Sequence, residues 1–377
     1  MEKLCFVATI PAVVHSFLKG HIRAAAGKWP VTIISHPDGA ELLEDMSAQF
    51  IPLEIEREAS PWRDLLALAQ LVRLFRRERF DLVHSIMPKA GLLAMLAGRL
   101  AGVPNRIHTF TGQVWATKRG WRRSALKQFD KLIVSFATNI LVDSPSQRDF
   151  LVSEGVLPQG KAVVIGHGSI CGVDAHRFHP DVQVKGAVCA ELNISIEQTV
   201  ILFLGRLNRD KGILDLAVAF ADIASQRRDV VLVLVGAEEN VPFTRVQEIC
   251  GVHSEQLRRV NFTPNPERYM AAADIFCLPS YREGFGQVII EAAASGVPCV
   301  ASRIYGVIDA VEDGKTGLLF PAGDTAALTQ LLLKLIMSRD LRKQMGEAAR
   351  VRALELFPSQ NITREMLALY GKLLGQR

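Results

Sequence analysis

Residues 274–304, DIFCLPSYREGFGQVIIEAAASGVPCVASRI, decide the fold. An aliphatic run ends at Cys277 and Leu278, a Gly-rich turn follows, a helix opens near Phe285, and PCVASRI starts a second strand. Strand, helix and strand within about 30 residues form a βαβ unit, the building block of a parallel sheet.

The same alternation extends outward from this unit. TVILFLGR (199–206), DVVLVLVG (229–236) and TGLLFP (316–321) read as further strands of the second half. LCFVATI (4–10), VTIISH (31–36), DLVHSI (81–86), RIHTFT (106–111), NILVDS (139–144) and AVVIGHG (162–168) do so in the first. Near-continuous Val/Ile/Leu runs belong to strands buried on both faces, so the expected class is α/β with two doubly wound, Rossmann-like domains. The rhythm lapses over 175–198, which is polar and reads as a linker. The expected division is 1–180 and 181–357, followed by a helix over 358–377. That helix is signalled by Pro358, Ser359 and apolar Ile362, Met366, Leu369 and Leu373 at helical spacing. In open α/β sheets ligands gather outside the carboxyl ends of the strands, so two such domains are expected to face a central cleft that holds the substrate.

Composition narrows the class. A chain of 377 residues, 49% hydrophobic and 22% charged, has material for two buried cores. Six scattered cysteines with no CxxC pair suggest neither a zinc site nor a disulfide framework and fit a reducing cytoplasm. The N-terminus reads as a first strand rather than a signal, and apolar stretches such as 90–97 and 132–142 fall short of the ~20 residues of a bilayer span. A net charge of +5 is too modest to argue for nucleic acid. It is uneven, however, with RLFRRER at 73–79 and KRGWRRSALKQFDK at 118–131 both in the first half.

The chemistry is sought at strand ends. In the turn after Leu278, Glu283 beside the Gly284 and Gly286 amides can hydrogen-bond sugar hydroxyls. The following helix N-terminus favours a phosphate, and Glu291 can reach a ribose diol. Two surface carboxylates around a helix start give the same spacing. LGRLNRDKG (204–212) carries Arg206 and Lys211 into a second strand-to-helix junction, where a bidentate guanidinium and a compact ammonium suit a diphosphate. No metal is then required, and acidic pairs such as Glu238-Glu239 lack a DxD pattern. In the first half, ATIPAVVHSFLKGHI (8–22), HSIMPKAG (84–91) and HTFTGQVW (108–115) leave His15, His84, Lys89, His108 and Thr111 at strand ends, with His108 the strongest candidate. His176 and His179 lack a third ligand nearby and read as linker.

With these stretches in place the chain resembles a family 4 retaining glycosyltransferase of the two-Rossmann-domain, GT-B type. The Glu-x7-Glu element of Glu283 and Glu291 carries the resemblance, supported by GRLNRDKG (205–212), GVDAHRF (172–178) and DGKTGLLF (313–320). The resemblance implies that the C-terminal helix crosses back to the first domain. It also implies that Arg206 and Lys211 hold the donor diphosphate, Glu291 the ribose, and Glu283 with the 284–286 amides the transferred sugar, while His108 lies near the sugar and acceptor. The donor is then a UDP-sugar, with no cofactor and no metal. Retention follows from same-face displacement, in which the leaving phosphate oxygen helps deprotonate the acceptor hydroxyl.

Where many relatives carry Gly-Gly after the first strand, this chain has Ile10-Pro11-Ala12-Val13-Val14, so the acceptor side transfers least. Its 8–22 and 108–121 stretches look most like bacterial O-antigen and capsule enzymes acting on lipid-diphosphate-linked sugars. A membrane-anchored acceptor would be met by Arg119, Arg122, Arg123 and Lys127, with Trp115 and Trp121 at interfacial depth. That implies a cytoplasmic protein peripherally attached to the inner membrane. Competing readings are a UDP-sugar epimerase on the same scaffold and a non-catalytic sugar-nucleotide-binding protein.

Overall fold

A computed structural model describes residues 1–56 and 60–375. The chain divides into two compact units, Met1–Cys171 with Ser359–Arg377, and Gly172–Pro358. In the first unit β1 (Leu4–Val7), β2 (Val31–Ser35), β3 (Gln49–Pro52), β4 (Leu82–Ile86), β5 (Asn105–Phe110), β6 (Asn139–Val142) and β7 (Ala162–Val164) form one parallel sheet in the order β3-β2-β1-β4-β5-β6-β7. Every residue of β1, β2 and β4 is buried, as strands covered on both faces require.

Alternation along the strands sorts the core into two layers. Cys5, Val7, Ile34 and Val83 point to the face covered by α2 (Pro61–Glu78), α3 (Pro88–Ala101) and α4 (Gly120–Phe136). Leu4, Phe6, Ile33 and Leu82 point to the other, covered by α1 (Lys19–Ala26) and the C-terminal helix Ser359–Leu374. Polar side chains tie that helix into this unit. The Tyr370 hydroxyl lies 2.7 Å from His84 Nδ1, Asn105 Nδ2 donates to the Leu373 carbonyl at 3.2 Å, and the Gly166 amide donates to Glu365 at 2.8 Å. Residues 376–377 of the expected helix lie outside the described residues.

The second unit holds β8 (Thr199–Leu204), β9 (Val230–Val235), β10 (Leu257–Val260), β11 (Ile275–Leu278), β12 (Cys299–Ser302) and β13 (Gly317–Phe320), all parallel, in the order β10-β9-β8-β11-β12-β13. From β8 the chain steps to β9 on one side, and it later returns to β11 on the other. The sheet's switch point therefore lies between β8 and β11, where a doubly wound fold opens a crevice at the carboxyl ends. The loops leaving these two neighbouring strands are the LGRLNRDKG and PSYREGFG stretches.

The break between the units falls at Cys171 and Gly172, ahead of the segment read as linker. Within 175–198, α5 (Val182–Glu191) is a helix, because the Asp181 side chain accepts the Gln183 and Val184 amides and caps its start.

Candidate active site

The crevice is assembled from its loop chemistry upward. After β8 the Asn208 side chain accepts the Lys211 amide at 2.8 Å, winding Arg209–Lys211 into a single tight turn. Gly212 then adopts φ 69°, and a Cβ there would sit 2.0 Å from the Pro279 carbonyl oxygen. The loops after β8 and β11 therefore touch backbone to backbone. Arg282 on one meets Asp210 on the other at 2.8 Å.

That contact seats Lys211 Nζ 2.5 Å from Glu283 Oε1, and Ser280 Oγ donates to the same oxygen at 2.8 Å. The side chains of Lys211 and Glu283 are 22% and 13% exposed, so the pair is shielded but reachable from solvent. Arg206, at the end of β8, pairs with Glu239, whose second oxygen accepts from Asn208 Nδ2 at 2.5 Å. Gly284, Phe285 and Gly286 are all buried, with the Phe285 ring 5.1 Å from that of Phe357. Gly286 takes φ 74°, and this delays the helix, α6 (Gln287–Ala294), two residues past the expected start.

Glu291 lies on α6 within reach of Gln287 Nε2 at 3.3 Å. Burial raises its carboxyl to about 7 despite the opposing Gln287 hydrogen bond and the charge of Arg177. Because the folded protein holds this proton more tightly than the unfolded chain, the group's stabilising contribution is complete below pH 4.5 and is lost as pH rises through about 7. Glu291→Gln removes that loss. Its melting temperature is expected to gain on the parent between pH 5 and pH 8 while donor binding weakens. A temperature difference that stays constant with pH would refute the burial assignment.

In the first unit His108 is buried, with Nδ1 2.9 Å from Ser85 Oγ and its ring edge-on to Phe110 at 4.7 Å. Burial lowers its pKa to about 3, so the imidazole is neutral at physiological pH. Gly91 makes room for it, since a Cβ there would lie 2.3 Å from His108 Cε1. His108, Thr111, Gln113 and Asp130 line one small pocket at the end of β5. Burial raises the Asp130 carboxyl to about 7 against a 2.6 Å hydrogen bond from Trp115 Nε1.

Two family models match the chain: the glycosyl transferase 4-like domain over residues 22–168 and glycosyl transferases group 1 over 189–352. The chain is a family 4 glycosyltransferase of the GT-B type. The transferase is 29% identical over 379 residues to the Staphylococcus aureus capsular polysaccharide biosynthesis glycosyltransferase CapM, covering 100% of this chain and 98% of the relative. It is 26% identical over 316 residues to an Escherichia coli UDP-Gal:alpha-D-GlcNAc-diphosphoundecaprenol alpha-1,3-galactosyltransferase, covering 81% of each. Sucrose-phosphate synthase from Thermosynechococcus elongatus shares the fold, with a TM-score of 0.84 at 23% identity and full coverage of both chains.

The transferase brings Arg206, Lys211 and Glu283 to one pair of strand ends, with Glu291 on the helix that follows. Several first-unit expectations change. Trp115 is fully enclosed and stacks on Phe150 at 5.3 Å, so it cannot lie at interfacial depth. Arg123 and Lys127 both pair with Glu154, at 2.8 and 2.7 Å, and sit over the Trp115 ring; they serve the packing of α4 rather than an open basic face. Lys89 is bound to Asp64 at 2.6 Å, and His84 is sealed between Tyr370 and Thr109 Oγ1. His15 is half-buried in a π-helical turn, Val14–Leu18, with Lys19 Nζ 3.2 Å from its Nε2. Arg119, Arg122 and Trp121 remain exposed. Sequence reasoning missed Glu239, Ser280 and Asp130. The first had surfaced only in an acidic pair without a DxD pattern, and nothing local marks the other two.

Proposed function

We propose that the transferase moves a sugar from a UDP-sugar to a lipid-diphosphate-linked or oligosaccharide acceptor in bacterial surface polysaccharide synthesis, with retention and without a metal. The observation that carries this reading is the Lys211–Glu283 pair beside Arg206 at the β8–β11 switch point: two cations for a diphosphate next to a carboxylate for sugar hydroxyls. The galactosyltransferase relative, named for a UDP-sugar donor and a diphosphoundecaprenol acceptor, supports the substrate classes. In the proposed reaction the bond between anomeric carbon and donor phosphate oxygen breaks as the acceptor oxygen bonds that carbon on the same face. The acceptor proton passes to the departing phosphate oxygen, and Arg206 and Lys211 neutralise the charge gathering on UDP. Neutral His108 and Thr111 in the first unit hydrogen-bond acceptor hydroxyls. We further place the enzyme at the cytoplasmic face of the inner membrane.

The test is incubation of the purified chain, with and without EDTA, with UDP- and GDP-sugars and a short-chain lipid-diphosphate sugar. Mass spectrometry reads the product and NMR its anomeric configuration. Retained configuration with EDTA-insensitive transfer from UDP-sugar is expected. An altered donor sugar would favour the epimerase, and donor binding without turnover would favour a binding protein; either overturns the reading.

A further inference from the structure

We propose that the exposed faces of α2 and α4 form a surface that inserts into an anionic bilayer, with Trp62 and Trp121 as its anchors. The inference deepens the reading of a lipid-linked acceptor and rests on it. It keeps Arg119, Trp121 and Arg122 of the contact expected from sequence, drops the enclosed Trp115 and the paired Arg123 and Lys127, and adds the exposed face of α2.

Both helices lie on one face of the first sheet, each packed against α3 between them. A helix that follows a parallel strand starts at the sheet's carboxyl edge, so the second residues of α2 and α4, Trp62 and Trp121, stand at the edge that also carries His108 and Thr111. Trp62 is 78% exposed and Trp121 76%. On α2, Leu65 (54%) and Leu66 (62%) continue the apolar patch from Trp62. Helical spacing then sets exposed Arg73 and Arg76 on the same face about two to three turns further on, beside Arg77, which pairs with Glu78. On α4, Phe129 and Leu132 share the exposed side with Trp121, while Lys118, Arg119 and Arg122 lie exposed around its start.

Three acidic groups nearby are matched: Asp64 by Lys89, Glu56 by Arg63 and Glu78 by Arg77. The surface is apolar and aromatic, with cations at the far end of α2 and around the start of α4. That pattern lets indoles sit at headgroup depth while arginines reach anionic phosphates. Among the described residues no helix is long and apolar enough to cross a membrane, so the contact proposed is one of lying on the surface.

The test is co-sedimentation of the full chain with phosphatidylcholine vesicles with and without phosphatidylglycerol. Comparison variants are Trp62→Ser/Leu66→Ser, Trp121→Ser, Arg73→Glu/Arg76→Glu, and Phe262→Ser as an equally exposed aromatic of the second unit. The parent is expected to bind the anionic vesicles, each first-unit variant to bind them about tenfold or more weaker, and Phe262→Ser to bind as the parent does. Transfer to a water-soluble short-chain acceptor should stay unchanged in the first-unit variants, while transfer to a long-chain acceptor in vesicles falls. Unchanged vesicle binding of Trp62→Ser/Leu66→Ser overturns the proposal. So does a dimer in solution that these substitutions dissociate, since a second copy would then cover the face. Absence of transfer to the short-chain acceptor by the parent would instead sink the transferase reading of the substrates and leave the vesicle result standing.

Discussion

Lys211→Ala is expected to lower kcat/KM for the donor by about 100- to 1000-fold, or about 3–4 kcal/mol of transition-state stabilisation. Two effects act together. The ammonium that would face the diphosphate disappears, and Glu283 loses its cation while Ser280 Oγ alone still binds the carboxylate oxygen. A shielded carboxylate then repels the phosphates it formerly sat beside. If that is the cause, Lys211→Ala combined with Glu283→Gln should cost less than the sum of the two single losses, because the two side chains act as one unit. Steady-state kinetics of the three variants on a UDP-sugar decides the matter, with melting temperature as the control on folding. A single Lys211→Ala variant within about threefold of the parent would remove the residue from the donor site.

The central strands were legible because burial on both faces demands the unbroken aliphatic runs of TVILFL or VVLVLV. Two of the four edge strands, β3 and β10, were not, whereas β7 and β13 were. β3 is partly exposed along its length, and β10 is Leu257-Arg258-Arg259-Val260; charge at a sheet edge discourages pairing with other chains and erases the hydrophobic signature of a strand. A similar split runs through the site. Arg206, Lys211, Glu283 and Glu291 sit at strand ends or on a helix start, where local sequence signals position. Ser280 and Glu239 matter through contacts made by neighbouring loops, and their partners are fixed only once β8, β9 and β11 lie side by side. Trp115 was misplaced for a related reason. An indole next to KRGWRR reads as interfacial, yet Asp130, fifteen positions on, accepts its N–H inside the core.

Gly212→Ala is expected to destabilise the second unit by about 2–5 kcal/mol and to abolish most donor binding at the same time. Part of the cost is conformational, because φ 69° is left-handed and a Cβ there is strained. The larger part is steric: the new methyl would meet the Pro279 carbonyl at 2.0 Å, and neither group is a flexible side chain that can swing aside. The loops after β8 and β11 must then separate, carrying Lys211 away from Glu283. Gly102→Ala isolates the conformational part, since Gly102 has a closely similar backbone, φ 76° and ψ 23° against φ 69° and ψ 22°, with nothing within 4 Å of its Cβ position. Thermal unfolding of the two variants should show a loss of about 1–2 kcal/mol for Gly102→Ala and a clearly larger one for Gly212→Ala. Only Gly212→Ala should also weaken UDP binding. Equal losses in the two variants would mean that the loop contact contributes nothing, and that the pairing of Lys211 with Glu283 is held by some other part of the fold.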